Sequence, residues 1–209
     1  MGQILKFPAR ASKFGYKRAR KCAKAAENPD QLNLFSQPTA QILSFAPPLS
    51  LFEQALVFDE RGDHKAAELY ARAIEGQDCV ADAYCNLGII ESKKGNRTKA
   101  FACFTTSLKH NPRHSEAHYN LGTLYFDLND FRLAQIHYEM AAEVDPSFAN
   151  VFFNLALVQS INHEFAAAIS TLTKYQELVS ADEARNADEL LHNLKKSLAA
   201  TKNPQLSST

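Results

Sequence analysis

Three strings recur along this chain at a fixed interval: Tyr-Cys-Asn-Leu-Gly from Tyr84, His-Tyr-Asn-Leu-Gly from His118 and Phe-Phe-Asn-Leu-Ala from Phe152, each 34 residues after the last. A second register runs sixteen residues behind, as Ala100 with Phe104, Ala134 with Tyr138 and Ala168 with Leu172. Repetition at this period means that each unit is one supersecondary element whose apolar face is buried by its neighbours. Gly88, Gly122 and Ala156 in the first register, and Ala100, Ala134 and Ala168 in the second, let two helices approach closely. Leu87, Leu121, Leu155, Phe104 and Tyr138 fill the space between them. Gly62-Asp63, Gly95-Asn96, Asn129-Asp130 and Asn162-His163 supply turn-forming residues between the paired helices. Pro112 and Pro146, after Asn111 and Asp145, end one unit and permit the next to start.

This pattern of an aromatic residue, Leu-Gly, Ala-x-x-x-aromatic and proline resembles the tetratricopeptide repeat family over residues 49–180. The resemblance implies an all-α, right-handed superhelical solenoid of about four helix-turn-helix repeats. A divergent first unit holds Ala66, Tyr70 and Ala73 but lacks the Leu-Gly pair, and the fourth has Ala156 and Ser180 where the family has glycine and proline. Beyond it, Ser180 with Glu183 reads as a capping box. Leu190, Leu191, Leu194 and Leu198 mark one face of a capping helix over 181–200, with Asp188, Glu189, Lys195 and Lys196 outward. Residues 201–209 read as a disordered tail.

In this family the first helix of each pair lines a concave surface, with the second, fifth, sixth, ninth and thirteenth positions of a repeat facing a ligand. The resemblance therefore assigns Asn86, Asn120 and Asn154 to a ladder of side-chain amides able to pair with an extended peptide backbone. Cys85, Tyr119 and Phe153 at the fifth position, with Ile89, Thr123 and Leu157 at the ninth, form an apolar wall around it. That wall is either a peptide-binding surface, or one that in part packs inward or is covered by the chain's own N-terminal arm. Co-chaperone members of the family hold a C-terminal carboxylate with Lys and Arg on these helices. Here the second position offers Asp82 and Glu116, and the thirteenth Lys93 and Asp127, so a neutral or basic ligand is expected.

The net charge of zero hides an asymmetry. Residues 1–46 carry eight Lys/Arg against two Asp/Glu, a balance of +6, and residues 47–209 carry fifteen against twenty-one, a balance of −6. Five of the eight prolines fall in residues 1–48, which show no helical period and read as a basic, extended, largely disordered arm. Lys13, Lys17, Arg18, Arg20, Lys21 and Lys24 cluster there with Phe14 and Tyr16. This is a candidate nucleic-acid contact, and equally a solubilising tail or an arm docked on the acidic repeats. Gln31-Leu32-Asn33-Leu34-Phe35 resembles the bacterial sliding-clamp binding motif, departing at Asn33. The resemblance gives polar contacts to Gln31 and apolar pockets to Leu32, Leu34 and Phe35.

No Gly-rich phosphate loop, nucleophile elbow or His-Glu-x-x-His helix occurs in the sequence, so no catalytic site, cofactor or metal is expected. His110, His114 and His118 are four apart, but Pro112 breaks any helix that could align them. Cys22, Cys79, Cys85 and Cys103 match neither a secreted disulfide scaffold nor zinc knuckles and read as reduced thiols. With no apolar run of eighteen residues and no apolar stretch suited to a secretory signal, a cytoplasmic protein without a membrane partner is expected. The leading expectation is a non-enzymatic scaffold that binds a partner peptide in its groove. Two others remain open: a DNA-associated factor docking on the sliding clamp, and a scaffold whose arm occupies its own groove.

Overall fold

A computed structural model describes residues 15–20 and 48–202. Helix α1 spans Leu51–Glu60, α2 Lys65–Glu75, α3 Val80–Lys93, α4 Arg97–His110, α5 Ser115–Asp127, α6 Phe131–Val144, α7 Ala149–Ile161, α8 Phe165–Leu178 and α9 Ala181–Lys202. Successive helices pair as α1 with α2 through α7 with α8, each pair stacks on the next, and α9 closes the row against α8. The described residues contain no strand, and the result is the all-helical solenoid that the 34-residue period requires.

Local sequence sets where each helix begins and how each hairpin turns. Ser50 and Glu53 cap α1 reciprocally: Glu53 N–H donates to Ser50 Oγ at 3.2 Å and Ser50 N–H to the Glu53 carboxylate at 2.8 Å. Before α9 the Glu183 N–H donates to Ser180 Oγ at 3.4 Å, and that hydroxyl donates to the Glu183 carboxylate at 3.2 Å, so the reciprocal backbone bond of a capping box is replaced by a side-chain one. The four hairpin turns each pass through the left-handed region, at Gly62 (φ 71°), Gly95 (φ 82°), Asn129 (φ 60°) and His163 (φ 64°). In the fourth turn the strained position therefore falls on His163 rather than on the more tolerant Asn162. The first junction between repeats lacks proline and instead uses positive φ at Gln77 and Cys79. Cys79 is disulfide-bonded, so the expectation of reduced thiols fails there. Cys85 and Cys103 are free.

Close approach within the pairs follows the small residues. A Cβ placed on Gly88 would lie 2.6 Å from the Phe104 ring, and one on Gly122 would lie 2.7 Å from Tyr138. Neither contact is sterically attainable, so these positions require glycine opposite an aromatic ring. In the fourth pair the facing residue is Leu172, and Ala156 is accommodated in the same core. Ala187, Leu190 and Leu194 of α9 bury themselves against Phe153, Leu172 and Tyr175, while Asp188, Glu189, Lys195 and Lys196 stay exposed. The cap thus hides an apolar face that the last repeat would otherwise show to water.

Candidate functional site

The sixth positions of the second, third and fourth repeats bring Asn86, Asn120 and Asn154 onto α3, α5 and α7, all three fully buried. Asn120 Nδ2 reaches Cys85 Sγ at 3.2 Å, and Asn154 Nδ2 donates to Tyr119 Oη at 3.0 Å. Each of these amides is thus steadied by the fifth-position residue of the repeat before it. Asn86 Nδ2 finds Tyr70 Oη at 3.2 Å instead, because the divergent first repeat has no equivalent polar group.

Residues 15–20 of the arm lie along this row in extended form. Lys17 N–H donates to Asn120 Oδ1 at 2.7 Å, and Asn120 Nδ2 returns a bond to the Lys17 carbonyl at 2.9 Å. Ala19 makes the same pair with Asn86, at 2.8 and 2.9 Å. An extended chain turns every second residue the same way, so two amides one repeat apart serve residues 17 and 19 as a neighbouring β-strand would. The chain order is reversed, since the arm passes the third repeat first and then runs toward the first.

Side chains fix the register. Ala19, 1% exposed, packs with Cys85, Ile89, Phe104, Ala117, Leu121 and Leu124, and Tyr16 packs on the same cluster. The Tyr16 ring stacks near Phe104 at 6.0 Å, and its hydroxyl donates to Asp127 at 3.3 Å. Burial pushes the Tyr16 hydroxyl above its ordinary pKa, which keeps it a donor. Arg18 turns to the end of α1, where Nη2 donates to Asp59 Oδ1 at 2.8 Å and to the Asp59 carbonyl at 3.2 Å, with Nε on Oδ2. Tyr70 Oη also reaches Asp59, at 3.4 Å. Lys17 Nζ stands 5.3 Å over the Phe148 ring, and Arg20 pairs with Glu60 at 3.3 Å on the open surface.

The predicted apolar wall divides. Cys85 and Ile89 lie beneath Ala19, Tyr119 packs against Phe148 and Tyr138 in the next core, Phe153 turns toward Tyr175 and α9, and Leu157 is 5% exposed. Of the basic run, Lys17, Arg18 and Arg20 are described and face the contacts just given. Lys13, Lys21, Lys24 and the Gln31, Leu32, Leu34, Phe35 motif lie outside the described residues. Sequence reasoning missed Asp59 and Glu60. The signal was available: Asp59 stands 34 residues before Lys93 and 68 before Asp127, at the thirteenth position of the unit without Leu-Gly.

The remaining titratable groups serve packing. Asp82 and Glu116 close on His114, Oδ1 lying 3.3 Å from Nε2 and Oε2 lying 3.2 Å from Nδ1. Burial alone would lower the His114 pKa, but the two carboxylates outweigh it and hold it at about 9. His118 Nε2 lies 3.1 Å from the Pro112 carbonyl and Nδ1 lies 3.2 Å from His137 Nδ1. Burial lowers both of these rings, His137 to about 4. His110 stacks on Tyr84 at 5.8 Å. Burial pushes the Cys85 and Cys103 thiols up, away from nucleophilic thiolate character. Among the described residues no three His, Cys, Asp or Glu side chains are grouped to hold a metal, and no helix is long and apolar enough to cross a membrane.

Two tetratricopeptide repeat family profiles match the chain, one over residues 79–147 and one over 119–183. The sequence is similar to human tetratricopeptide repeat protein 6, at 27% identity over 52% of this chain and 21% of the relative. It is also similar to mouse tetratricopeptide repeat protein 8, at 32% identity over 40% of this chain and 16% of the relative. The chain therefore spans about a fifth or less of the length of these curated relatives. Among solved structures it is similar to the first tetratricopeptide domain of Spaghetti (RPAP3) bound to the HSP90 peptide SRMEEVD. The TM-score is 0.52 and the identity 19%, over 57% of this chain and 93% of that one. It is likewise similar to the Yersinia enterocolitica type III secretion translocator chaperone SycD, with a TM-score of 0.53 and 19% identity over 57% of this chain and 86% of that one. At such identity the two structures speak to the fold. Fold, repeat register and both profiles agree in identifying residues 79–183 as tetratricopeptide repeats.

Proposed function

We propose that this protein is a non-enzymatic interaction scaffold whose concave groove receives an extended segment of a partner polypeptide, in competition with its own arm. The observation that carries this reading is the doubled amide pairing of Asn120 with Lys17 and of Asn86 with Ala19. Both pairs engage backbone groups that any extended polypeptide offers. Cys85 and Ile89 lie in the cluster beneath Ala19, and Tyr119 steadies Asn154 one repeat on. The Spaghetti domain, similar in fold, is bound to a peptide, which supports a peptide-binding role here. The mechanism is recognition without chemistry: a partner gains the groove by displacing residues 15–20, and its affinity is reduced by the stability of the docked arm.

A photo-reactive residue at Lys93, which lines a cavity of about 300 Å³ beside Arg18 and Asp59, tests this in cells. The reading expects cross-links to partner polypeptides that map to extended segments and disappear with Asn120→Ala. Cross-links confined to the protein's own arm would make the groove a purely internal docking site and reject a scaffold role for it.

A further inference from the structure

The arm does more than fill the groove, because its side chains meet a charge and a shape that few sequences would match. Asp59 is 5% exposed, and the guanidinium of Arg18 engages both its carboxylate oxygens and its main-chain carbonyl. A rigid planar fork can make all three contacts at once, whereas a lysine ammonium is a point donor that cannot. Asp59 shows no other ion pair among the described residues, so an occupant without this cation leaves a carboxylate facing a largely enclosed site. One residue on, Ala19 is 1% exposed and belongs to the same core cluster as Cys85, Ile89, Phe104, Ala117, Leu121 and Leu124, so a larger side chain there would have to be fitted into an already close-packed core. Two residues before the arginine, the Tyr16 ring lies on the same cluster and its hydroxyl reaches Asp127. Lys17, by contrast, is exposed, and only its backbone is engaged by hydrogen bonds.

Building on the groove reading above, we propose that the groove selects an extended basic segment of the form aromatic-x-Arg-small, and that Tyr16–Ala19 is an internal copy of the segment its partner presents. The second position is free, the third is read by Asp59, the fourth by the close-packed pocket between α3, α4 and α5, and the first by Phe104 and Asp127. The balance of −6 on residues 47–209 favours such a ligand at longer range. Under this reading Asp59 is the residue that determines specificity, while Asn86 and Asn120 supply affinity to any extended chain.

The test uses the full chain with its own arm weakened by Arg18→Glu and Ala19→Leu, both outside the groove walls, with Arg18→Ala alone as the milder variant should the double change disturb folding. Labelled peptides spanning residues 13–24, with Cys22→Ser, are titrated by fluorescence anisotropy into chains whose helical content matches the wild type. The native peptide should bind the arm variant more tightly than the wild-type chain, where it must compete. Arg18→Ala in the peptide should weaken binding at least about thirtyfold, as loss of one partner of an enclosed charge pair does. Ala19→Leu should weaken it at least about tenfold through overpacking, and Arg18→Lys should fall between the native and Arg18→Ala peptides. Adding Asp59→Asn to the arm variant should make native and Arg18→Ala peptides bind alike. If a scrambled peptide of the same composition binds as well as the native one, the groove reads charge alone and the proposed motif is wrong, while the groove reading stands. If no peptide binds the folded arm variant, the groove reading itself is wrong, and the motif with it.

Discussion

His114 is the residue whose surroundings make the sharpest demand. It precedes α5 as a buried cation between Asp82 and Glu116, and one ring nitrogen cannot both donate to Glu116 and accept the Ala117 N–H at 3.3 Å. The carboxylates decide for the protonated ring. Its folded pKa of about 9 exceeds an unfolded value of about 6.5, so its stabilisation is complete below pH 6.5 and is lost as pH rises through 9. His137, held near 4 by burial and by the facing His118, has the opposite sign. Its contribution is complete above pH 6.5 and is lost as pH falls toward 4. Urea unfolding across this range should therefore show greatest stability near pH 6.5, and His114→Gln should remove the decline between about pH 6.5 and 8 while leaving the acid one. The buried thiols, raised by burial, bring their own decline only above about pH 8, so a decline between about pH 6.5 and 8 that persists in His114→Gln would refute the assignment. Gly122 offers a second test at this scale: Gly122→Ala pushes a methyl into the Tyr138 ring and should cost about 1–3 kcal/mol by overpacking, read from the urea midpoint.

At the scale of elements, the 34-residue period made the second, third and fourth helix pairs readable from sequence, because glycine, alanine and aromatic residues each occupy sterically distinct places in the pair. The first pair was harder to place. Phe52 and Ala55 take over the core positions on α1 without the Leu-Gly signature, and so the thirteenth-position Asp59 went unread. The cap was legible as a leucine stripe, and its role predicts a cost. Leu194 is fully buried between α9 and the last repeat, so Leu194→Ala should lower stability by about 2–5 kcal/mol. A change under 1 kcal/mol would mean that α9 adds little to the closing of the solenoid.

For the molecule as a whole, the sequence showed an acidic body, a basic arm and an amide ladder, and left open whether they meet. It could not say that residues 15–20 would dock, because an extended segment carries no periodicity and its register comes from side chains supplied by four different helices. Only the folded groove places Asp59 opposite Arg18 and a small pocket opposite Ala19. The resulting picture is of a scaffold that carries a competing ligand in cis. Any partner must supply enough differential affinity to displace it.

The most direct measurement is amide hydrogen exchange at Lys17 and Ala19 in the full chain, by NMR, in the wild type and in Asn86→Ala/Asn120→Ala. Docking through the asparagine ladder predicts that both amides are protected in the wild type. In the double variant both should exchange near the rate of an unstructured peptide, while amides of α6 to α8 keep their protection. Wild-type exchange at Lys17 and Ala19 as fast as in the isolated 13–24 peptide would contradict the account.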